Sequence, residues 1–201
     1  MTKYFGEALT EVGKDWGGYI LATLVYLAVT ALLSIIWIGG FVSGLFLIGY
    51  YYFVKRKITE GTAEVGDLFI VFKKTELIIP SLLAGIVITL LTALGLLLLV
   101  IPGLIVIGAF LFTYLIILDG EKDFWEAMMK SKDIAATDWL KYIVFALLAG
   151  IILTAGALFF GIGMLVTMPI AITAIVLMYE DVKAPKAVNV KEEEVSVIKE
   201  S

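Results

Sequence analysis

The residues best suited to chemistry in this sequence are four carboxylates in one short polar segment: Asp119, Glu121, Asp123 and Glu126. Clustered carboxylates can hold Mg²⁺ against a phosphate group. The chain contains no histidine and no cysteine, so the commonest general base and all thiol chemistry are missing. A solvated loop leading into a helix, where acidic residues interact favourably with the helix dipole, accounts for the cluster better. We therefore expect no catalytic residue, no bound metal and no cofactor.

The composition of the chain is that of an integral membrane protein. Of its 201 residues, 61% are hydrophobic and 17% are charged, whereas soluble domains are about 45–50% apolar and about 25% charged. The first fifteen residues carry Glu7, Glu11 and Asp15 and lack the basic start of a cleaved signal peptide. We expect the first apolar segment to stay in the membrane, and we expect no nucleic-acid partner.

Three long stretches contain no charged residue: Gly17–Val54, Leu77–Leu118 and Tyr142–Tyr179. The middle one would extend about 63 Å as a single helix, twice the thickness of about 30 Å of the hydrocarbon core. Each stretch therefore predicts a helical hairpin, with turns at Ile38-Gly39-Gly40, Val100-Ile101-Pro102-Gly103 and Gly161-Ile162-Gly163. The prediction is an all-α domain over 1–181 with a flexible cytoplasmic tail over 182–201. Its six spans cover about 16–34, 37–54, 77–99, 103–118, 142–159 and 163–179.

An amphipathic segment precedes each hairpin. The apolar residues of the first two segments recur at the spacing of one helix face, and Phe5, Val65 and Trp125 are spaced by 60 residues. This spacing predicts a cytoplasmic interfacial helix before each hairpin and suggests a triplication of about 60 residues. Periodic hydropathy in any six-span protein with short outer turns is the alternative. The apolar faces are candidates for lipid or partner binding, with simple burial in the interface as the alternative: Phe5, Leu9, Leu68, Phe69, Phe72, Trp125, Met128 and Met129.

The distribution of charge predicts the orientation of the chain. With six spans, all 15 Lys and Arg residues lie on one side, which the positive-inside rule makes the cytoplasm. The protein is then multi-pass in the cell membrane with both termini inside. The basic residues between the second and third spans either contact anionic headgroups or simply set the topology; they are Lys55, Arg56, Lys57, Lys73 and Lys74.

No ionisable residue lies inside a predicted span, although such residues usually mark ion and proton pathways. Ion-coupled transport is therefore disfavoured. A passive pore could still be lined by hydroxyl side chains, although small and hydroxyl residues more often serve close helix packing. The candidate pore residues are Ser34, Ser43, Thr89, Thr92, Thr113 and Thr154.

Short motifs in the chain resemble a broad, largely uncharacterised family of prokaryotic six-helix membrane proteins. The family includes the membrane domain attached to some glycerophosphodiester phosphodiesterases. The motifs are Asp67-Leu68-Phe69 with Phe72-Lys73, Ile101-Pro102-Gly103, Asp119, Glu126-Ala127, Ser131, Gly161 with Gly163, Pro169-Ile170 and Tyr179. The phosphodiesterase domain of the enzyme-linked members has no counterpart here. The resemblance implies a six-helix fold and a link to lipids, and it implies no catalytic residue.

These observations favour a non-enzymatic membrane protein that binds or scaffolds lipids or a partner at the cytoplasmic face. An oligomeric channel or passive transporter is the first alternative. A lipid-modifying enzyme that uses the carboxylates of the polar segment is the second. The expected partners are membrane lipids, a second copy of the chain or another membrane protein.

Overall fold

The computed structural model describes residues 2–34, 39–98, 100–158 and 162–200. Within these ranges, the side chains of 34, 39–43, 100 and 185–200 are not described. Ten α-helices and two short 3-10 helices make up the regular structure of this part of the chain, and it contains no β-strand. The fold is therefore all-α, as the sequence predicts.

The helices follow one another with short connections. They are α1 (Thr2–Lys14), α2 (Trp16–Ser34), α3 (Gly39–Glu60), α4 (Ile70–Lys73), α5 (Ile78–Leu98), α6 (Val100–Ala109), α7 (Thr113–Leu118), α8 (Phe124–Ala136), α9 (Trp139–Leu158) and α10 (Met164–Glu200). The 3-10 helices Val65–Phe69 and Thr75–Leu77 flank α4. The second amphipathic segment is thus a series of short helices, and in the first of them the Asp67 carboxylate accepts the backbone N–H of the N-cap residue Glu64.

Five helical segments of the described chain are long and apolar enough to cross a membrane, which indicates a membrane protein. They are Trp16–Leu33, Thr75–Leu98, Ile101–Leu118, Trp139–Leu158 and Met164–Ala184. The helix α3 is not among them, because four of its last six residues are charged. The last segment belongs to a helix that continues to Glu200, where the sequence predicts a flexible tail over 182–201.

The helices pack as pairs, and the pairs contact one another in order. Within pairs, α2 packs against α3, α5 against α6, and α9 against α10. Between pairs, α3 packs against α5, α6 against α9, and α10 against α2. The second helix of each pair is the more buried one. Over 18 residues, 61% of Met164–Ala184 is buried, compared with 28% of Trp139–Leu158, and 50% of Ile101–Leu118 is buried, compared with 22% of Thr75–Leu98. We call α3, α6–α7 and α10 the inner helices and α2, α5 and α9 the outer helices.

Two details of the described structure differ from the predicted second hairpin. Pro102 and Gly103 lie in the first turn of α6, where proline is well accommodated because the first amide groups of a helix have no intrahelical acceptor. The span predicted over 103–118 is broken between Ala109 and Thr113. The buried Ser131 side chain bridges this break: its hydroxyl donates to the Ala109 carbonyl (2.8 Å) and accepts from the Phe112 amide (3.1 Å).

Candidate functional site

Asp119, at the end of α7, joins three elements at the charged end of the bundle. Its carboxylate accepts hydrogen bonds from the Lys55 ammonium of α3, from the Lys183 ammonium of α10 (2.5 Å) and from the Tyr179 hydroxyl (2.7 Å). Lys55 also lies 3.4 Å from the Glu180 carboxylate. Burial opposes ionisation of Asp119, but the hydrogen bonds from Lys183, Lys55 and Tyr179 hold its pKa below its ordinary value. We call these five residues the Asp119 cluster.

Arg56, the next residue of α3, binds a different element. Its guanidinium lies 2.9 and 3.1 Å from the two carboxylate oxygens of Asp67 and 2.7 Å from Glu60. Asp67 is only 5% exposed, and its carboxylate also accepts the backbone N–H of Glu64 (2.9 Å). The hydrogen bonds that Arg56 donates to Glu60 and Asp67 raise the pKa of its guanidinium above its usual value. Arg56 thereby fixes the 3-10 helix Val65–Phe69 to the end of α3.

Lys57 binds the junction between α1 and α2. Its ammonium pairs with Asp15 and lies 5.9 Å from the centres of the Tyr19 and Phe53 rings. The carboxylate of Asp15 also accepts the Gly18 backbone N–H (3.0 Å), so it caps the start of α2. The hydrogen bonds from Lys57 and from Gly18 lower the pKa of Asp15.

The three basic residues at 55–57 therefore form ion pairs within the protein, each with an acidic residue from a different part of the chain. The role of this basic triplet as a set of headgroup contacts or as a topology signal stays a prediction. Lys73 and Lys74 are exposed, and the Lys74 ammonium lies 5.8 Å from the centre of the Tyr52 ring. These two lysines are the members of the predicted set that the structure leaves at the surface.

The acidic residues after Asp119 have local roles. Glu121 pairs with Lys130 and accepts the Asp123 backbone N–H (3.2 Å). Asp123 accepts the backbone N–H groups of Trp125 (2.7 Å) and Glu126 (3.2 Å), so it is the N-cap of α8. Across the described ranges, no group of three or more His, Cys, Asp or Glu side chains that could hold a metal ion is found.

The predicted lipid or partner face separates into exposed and buried residues. Leu9, Phe72 and Trp125 are at least half exposed. Leu68 and Met128, by contrast, are buried in the protein core, because the amphipathic segments turn part of their apolar face toward the bundle. The remaining members of the predicted face are partly buried: Phe5, Phe69 and Met129.

The motif residues occupy separate places. Glu126 is exposed on α8, and Pro169 lies inside α10. A hydrogen bond joins Asp119 and Tyr179, across 60 residues of sequence. Lys183, Glu180 and Asp15 were not predicted as site residues. The one signal for them in the sequence is that each lies within four residues of the end of an uncharged stretch.

The candidate pore residues do not line a common path in the described structure. Thr89 and Thr154 are exposed on the outer helices, Thr92 is partly buried and Thr113 is buried. The side chains of Ser34 and Ser43 lie outside the described residues.

Two concave surfaces adjoin these elements. A groove of about 470 Å³ lies between α6 and α9, with apolar and small residues along it, among them Leu104, Ile107, Gly150 and Ile151. We call it the α6–α9 groove. A cavity of about 370 Å³ lies between α7, α8 and α10 and is lined by Ile116, Lys130, Asp133, Ile134 and Tyr179. We call it the α8 cavity.

Comparison of the chain with protein-family models, with curated proteins and with solved structures gives no match. The resemblance to the membrane domain of glycerophosphodiester phosphodiesterases therefore remains a hypothesis.

Proposed function

We propose that the chain crosses the membrane six times as three helical hairpins, with α3 as the span added to the five apolar segments. In this arrangement the polar connectors and both termini lie in the cytoplasm. The ion pairs support it, because Lys55 and Lys57 in the last part of α3 pair with Asp119 after α7 and with Asp15 before α2. Three charged segments that are predicted to lie on the same side of the membrane are therefore in contact.

We also propose that the hairpins are three copies of one unit arranged in a ring. The order of contacts supports this, because α10 of the third pair packs against α2 of the first. The amphipathic segments follow the same rule: α1 packs on α10, the 3-10 helix Val65–Phe69 on α3, and α8 on α7. Each segment thus packs on the inner helix of the preceding hairpin.

Close glycine contacts near two hairpin tips also support a repeated unit. Gly95 approaches Gly103 in the second hairpin, and Gly156 approaches Gly163 in the third. A side chain at any of these positions would meet backbone or side-chain atoms within about 3 Å. The two pairs are offset by 61 and 60 residues, close to the proposed repeat length.

We infer that the protein is non-enzymatic and binds lipid at the cytoplasmic side of the membrane, acting as a scaffold there. The observation that supports this proposal most is that the charged residues at one end of the bundle form ion pairs with one another. Lys55, Arg56, Lys57 and Asp119 all hold helices together, and Asp123 caps one. The largest concave surface described above, the α6–α9 groove, is apolar and lies between two segments apolar enough to cross a membrane, where lipid chains would surround it.

Native mass spectrometry of the protein released gently from its own membrane tests this function. A lipid retained at fixed stoichiometry is the expected result. Measurable flux of ions or small solutes through reconstituted liposomes would contradict the scaffold proposal and favour the channel alternative. A change in lipid composition on deleting the protein would favour the enzyme alternative.

Single cysteines test the topology, because the native chain contains none. A cysteine at Thr137, in the α8–α9 connector, should react with an impermeant maleimide only after the cells are opened. A cysteine at Ile162, at the tip of the third hairpin, should react in intact cells. Labelling of both positions from the same side would contradict the hairpin arrangement.

A further inference from the structure

The α8 cavity lies where apolar segments meet the charged end of the bundle. Ile116 is two residues before the end of the segment Ile101–Leu118, and Tyr179 lies in the last part of Met164–Ala184. The isoleucines Ile116 and Ile134 make part of the lining apolar, and Lys130 and Asp133 make part of it charged. A cavity of this composition at a membrane surface suits an amphiphile, with a polar head beside α8.

The two charges of the cavity have opposite signs and lie one helical turn apart on α8. Lys130 pairs with Glu121, but its side chain is 54% exposed and an ammonium has three hydrogen-bond donors. Donors therefore remain for a phosphate group. Asp133 has no ion pair or hydrogen bond within the described part of the chain, so its carboxylate is available for a cation. A headgroup that carries both a phosphate and an amine matches this pair of charges.

The acidic residues disfavour a purely anionic headgroup. Glu121 already compensates part of the Lys130 charge, and Asp133 would repel a second negative group. An uncompensated anionic lipid would therefore gain little from this cavity.

The aromatic ring of the cavity disfavours a quaternary ammonium. Quaternary ammonium groups have no N–H donors and are recognised mainly by aromatic faces. The Tyr179 ring already has two ammonium groups near it, Lys55 at 5.8 Å and Lys183 at 5.7 Å from its centre. The Asp133 carboxylate is then the group that binds the cation, and a hydrogen bond to this carboxylate requires an N–H donor on the cation. A primary ammonium supplies that donor.

We propose that the α8 cavity binds the phosphoethanolamine headgroup of a membrane lipid, with Lys130 on the phosphate and Asp133 on the primary ammonium. This inference rests on the proposed lipid-binding function and names the class of lipid. The apolar lining by Ile116 and Ile134 points to a lipid as the source of the headgroup, since a soluble phosphoethanolamine has nothing to place there.

The test is native mass spectrometry of the full chain in micelles that contain equal amounts of phosphatidylethanolamine, phosphatidylglycerol and phosphatidylcholine. We expect the wild-type protein to retain phosphatidylethanolamine preferentially. Asp133→Asn should reduce that preference about fivefold, because one charge at a membrane surface contributes on the order of 1 kcal/mol. Glu126→Gln is the matched control: it removes the same charge from the same helix face two turns earlier, outside the cavity, and should leave the preference unchanged.

The outcomes separate this inference from the function on which it rests. Equal retention of the three lipids by the wild type, or an unchanged preference in Asp133→Asn, would overturn the headgroup assignment and leave lipid binding standing. Displacement of the lipid by soluble phosphoethanolamine at equal concentration would overturn the lipid as the source. Retention of no lipid at all would overturn both proposals. Circular dichroism of each variant confirms that it is folded.

Discussion

The outer helix α2 and the inner helix α10 are both apolar enough to cross a membrane, yet they have different surroundings. In α2 only 17% of the membrane-length segment is buried, and in α10 the value is 61%. Overall apolarity therefore does not determine which helix lies inside a membrane bundle. Lipid and protein interior are similarly apolar, so a leucine has little preference between them.

The polar contacts of the two kinds of helix differ at their ends. The inner helices α3 and α10 contribute Lys55 and Lys183, which bind the carboxylate after α7. Outer helices begin with local caps: Asp15 accepts a backbone N–H of α2, and Asp138 accepts the Lys141 N–H of α9 (3.2 Å). The inner helices are thus joined to one another by charge, whereas the caps mainly stabilise the helices they begin.

Replacing Gly49 should distinguish the two kinds of helix most strongly. A β-carbon on Gly49 of α3 would lie 1.9 Å from the Leu68 carbonyl oxygen, a backbone atom that no rotamer change can move. Gly49→Ala should therefore destabilise the protein by about 3 kcal/mol, at the upper end of the cost of overpacking. Unfolding in mixed detergent micelles, followed by circular dichroism, measures it.

The matched control is Gly150→Ala on the outer helix α9, where an added β-carbon meets no atom within 4 Å. It should be neutral or stabilising by up to about 1 kcal/mol, because alanine favours a helix over glycine. Equal destabilisation by the two substitutions would mean that the inner and outer helices are not distinguished by packing.

Replacing Asp119 removes the ion pairs that connect the inner helices. Asp119→Asn should cost about 2 kcal/mol near neutral pH, because two ammonium groups lose their charged acceptor. The stabilisation by Asp119 should decrease as the pH is lowered. The folded-state pKa of Asp119 lies below its unfolded value of about 3.9. Its contribution is therefore fully present above that value and is lost as the pH falls through the folded pKa.

The measurement is the stability of both proteins between pH 7 and pH 3. The wild type should approach Asp119→Asn as the pH falls below about 4. A constant difference over the whole range would show that the carboxylate does not stabilise the fold through its charge.

Much of the fold follows from the sequence, because it depends on where uncharged stretches begin and end. The start of α2 at Trp16 and the end of α7 at Leu118 coincide with predicted limits, since Asp15 and Asp119 border them. The break before Thr113 could not be predicted, because no glycine or proline interrupts 109–112. It depends on a serine from α8 that replaces lost backbone hydrogen bonds.

The candidate site was less predictable than the fold. The sequence singled out Asp119, but the ligands of its carboxylate come from α3 and α10, 64 residues before it and 60 and 64 after it. No local sequence pattern indicates contacts between residues this far apart in the chain. The basic triplet was interpreted as a set of headgroup contacts or as a topology signal, whereas its three side chains reach different partners because successive helix residues point about 100° apart.

A buried hydrogen bond between an outer and an inner helix gives a smaller effect. The hydroxyls of Thr23 on α2 and Tyr50 on α3 lie 2.6 Å apart, and both residues are fully buried. Thr23→Val should cost about 1 kcal/mol, because the Tyr50 hydroxyl loses its partner. Thr154→Val, on the exposed face of α9, should change stability little.

A double-mutant cycle measures how much the hydrogen bond between Thr23 and Tyr50 contributes to the stability of the protein. With Tyr50→Phe already present, Thr23→Val should cost less than it does alone. Additive effects of the two substitutions would show that the hydroxyls stabilise the protein independently.

The smallest effect is expected at an exposed aromatic residue of the second amphipathic segment. Phe72 is 60% exposed, and its ring contacts are with Phe69 and Phe46, at centroid distances of 6.4 and 6.2 Å. Phe72→Ala should therefore change stability in detergent by less than about 0.5 kcal/mol, as is usual for surface positions. If the segment lies at the membrane interface, as the sequence predicts, the ring is buried by lipid instead of by protein. The same substitution should then destabilise the protein more in lipid bicelles than in detergent, and equal costs in the two media would place Phe72 away from the membrane.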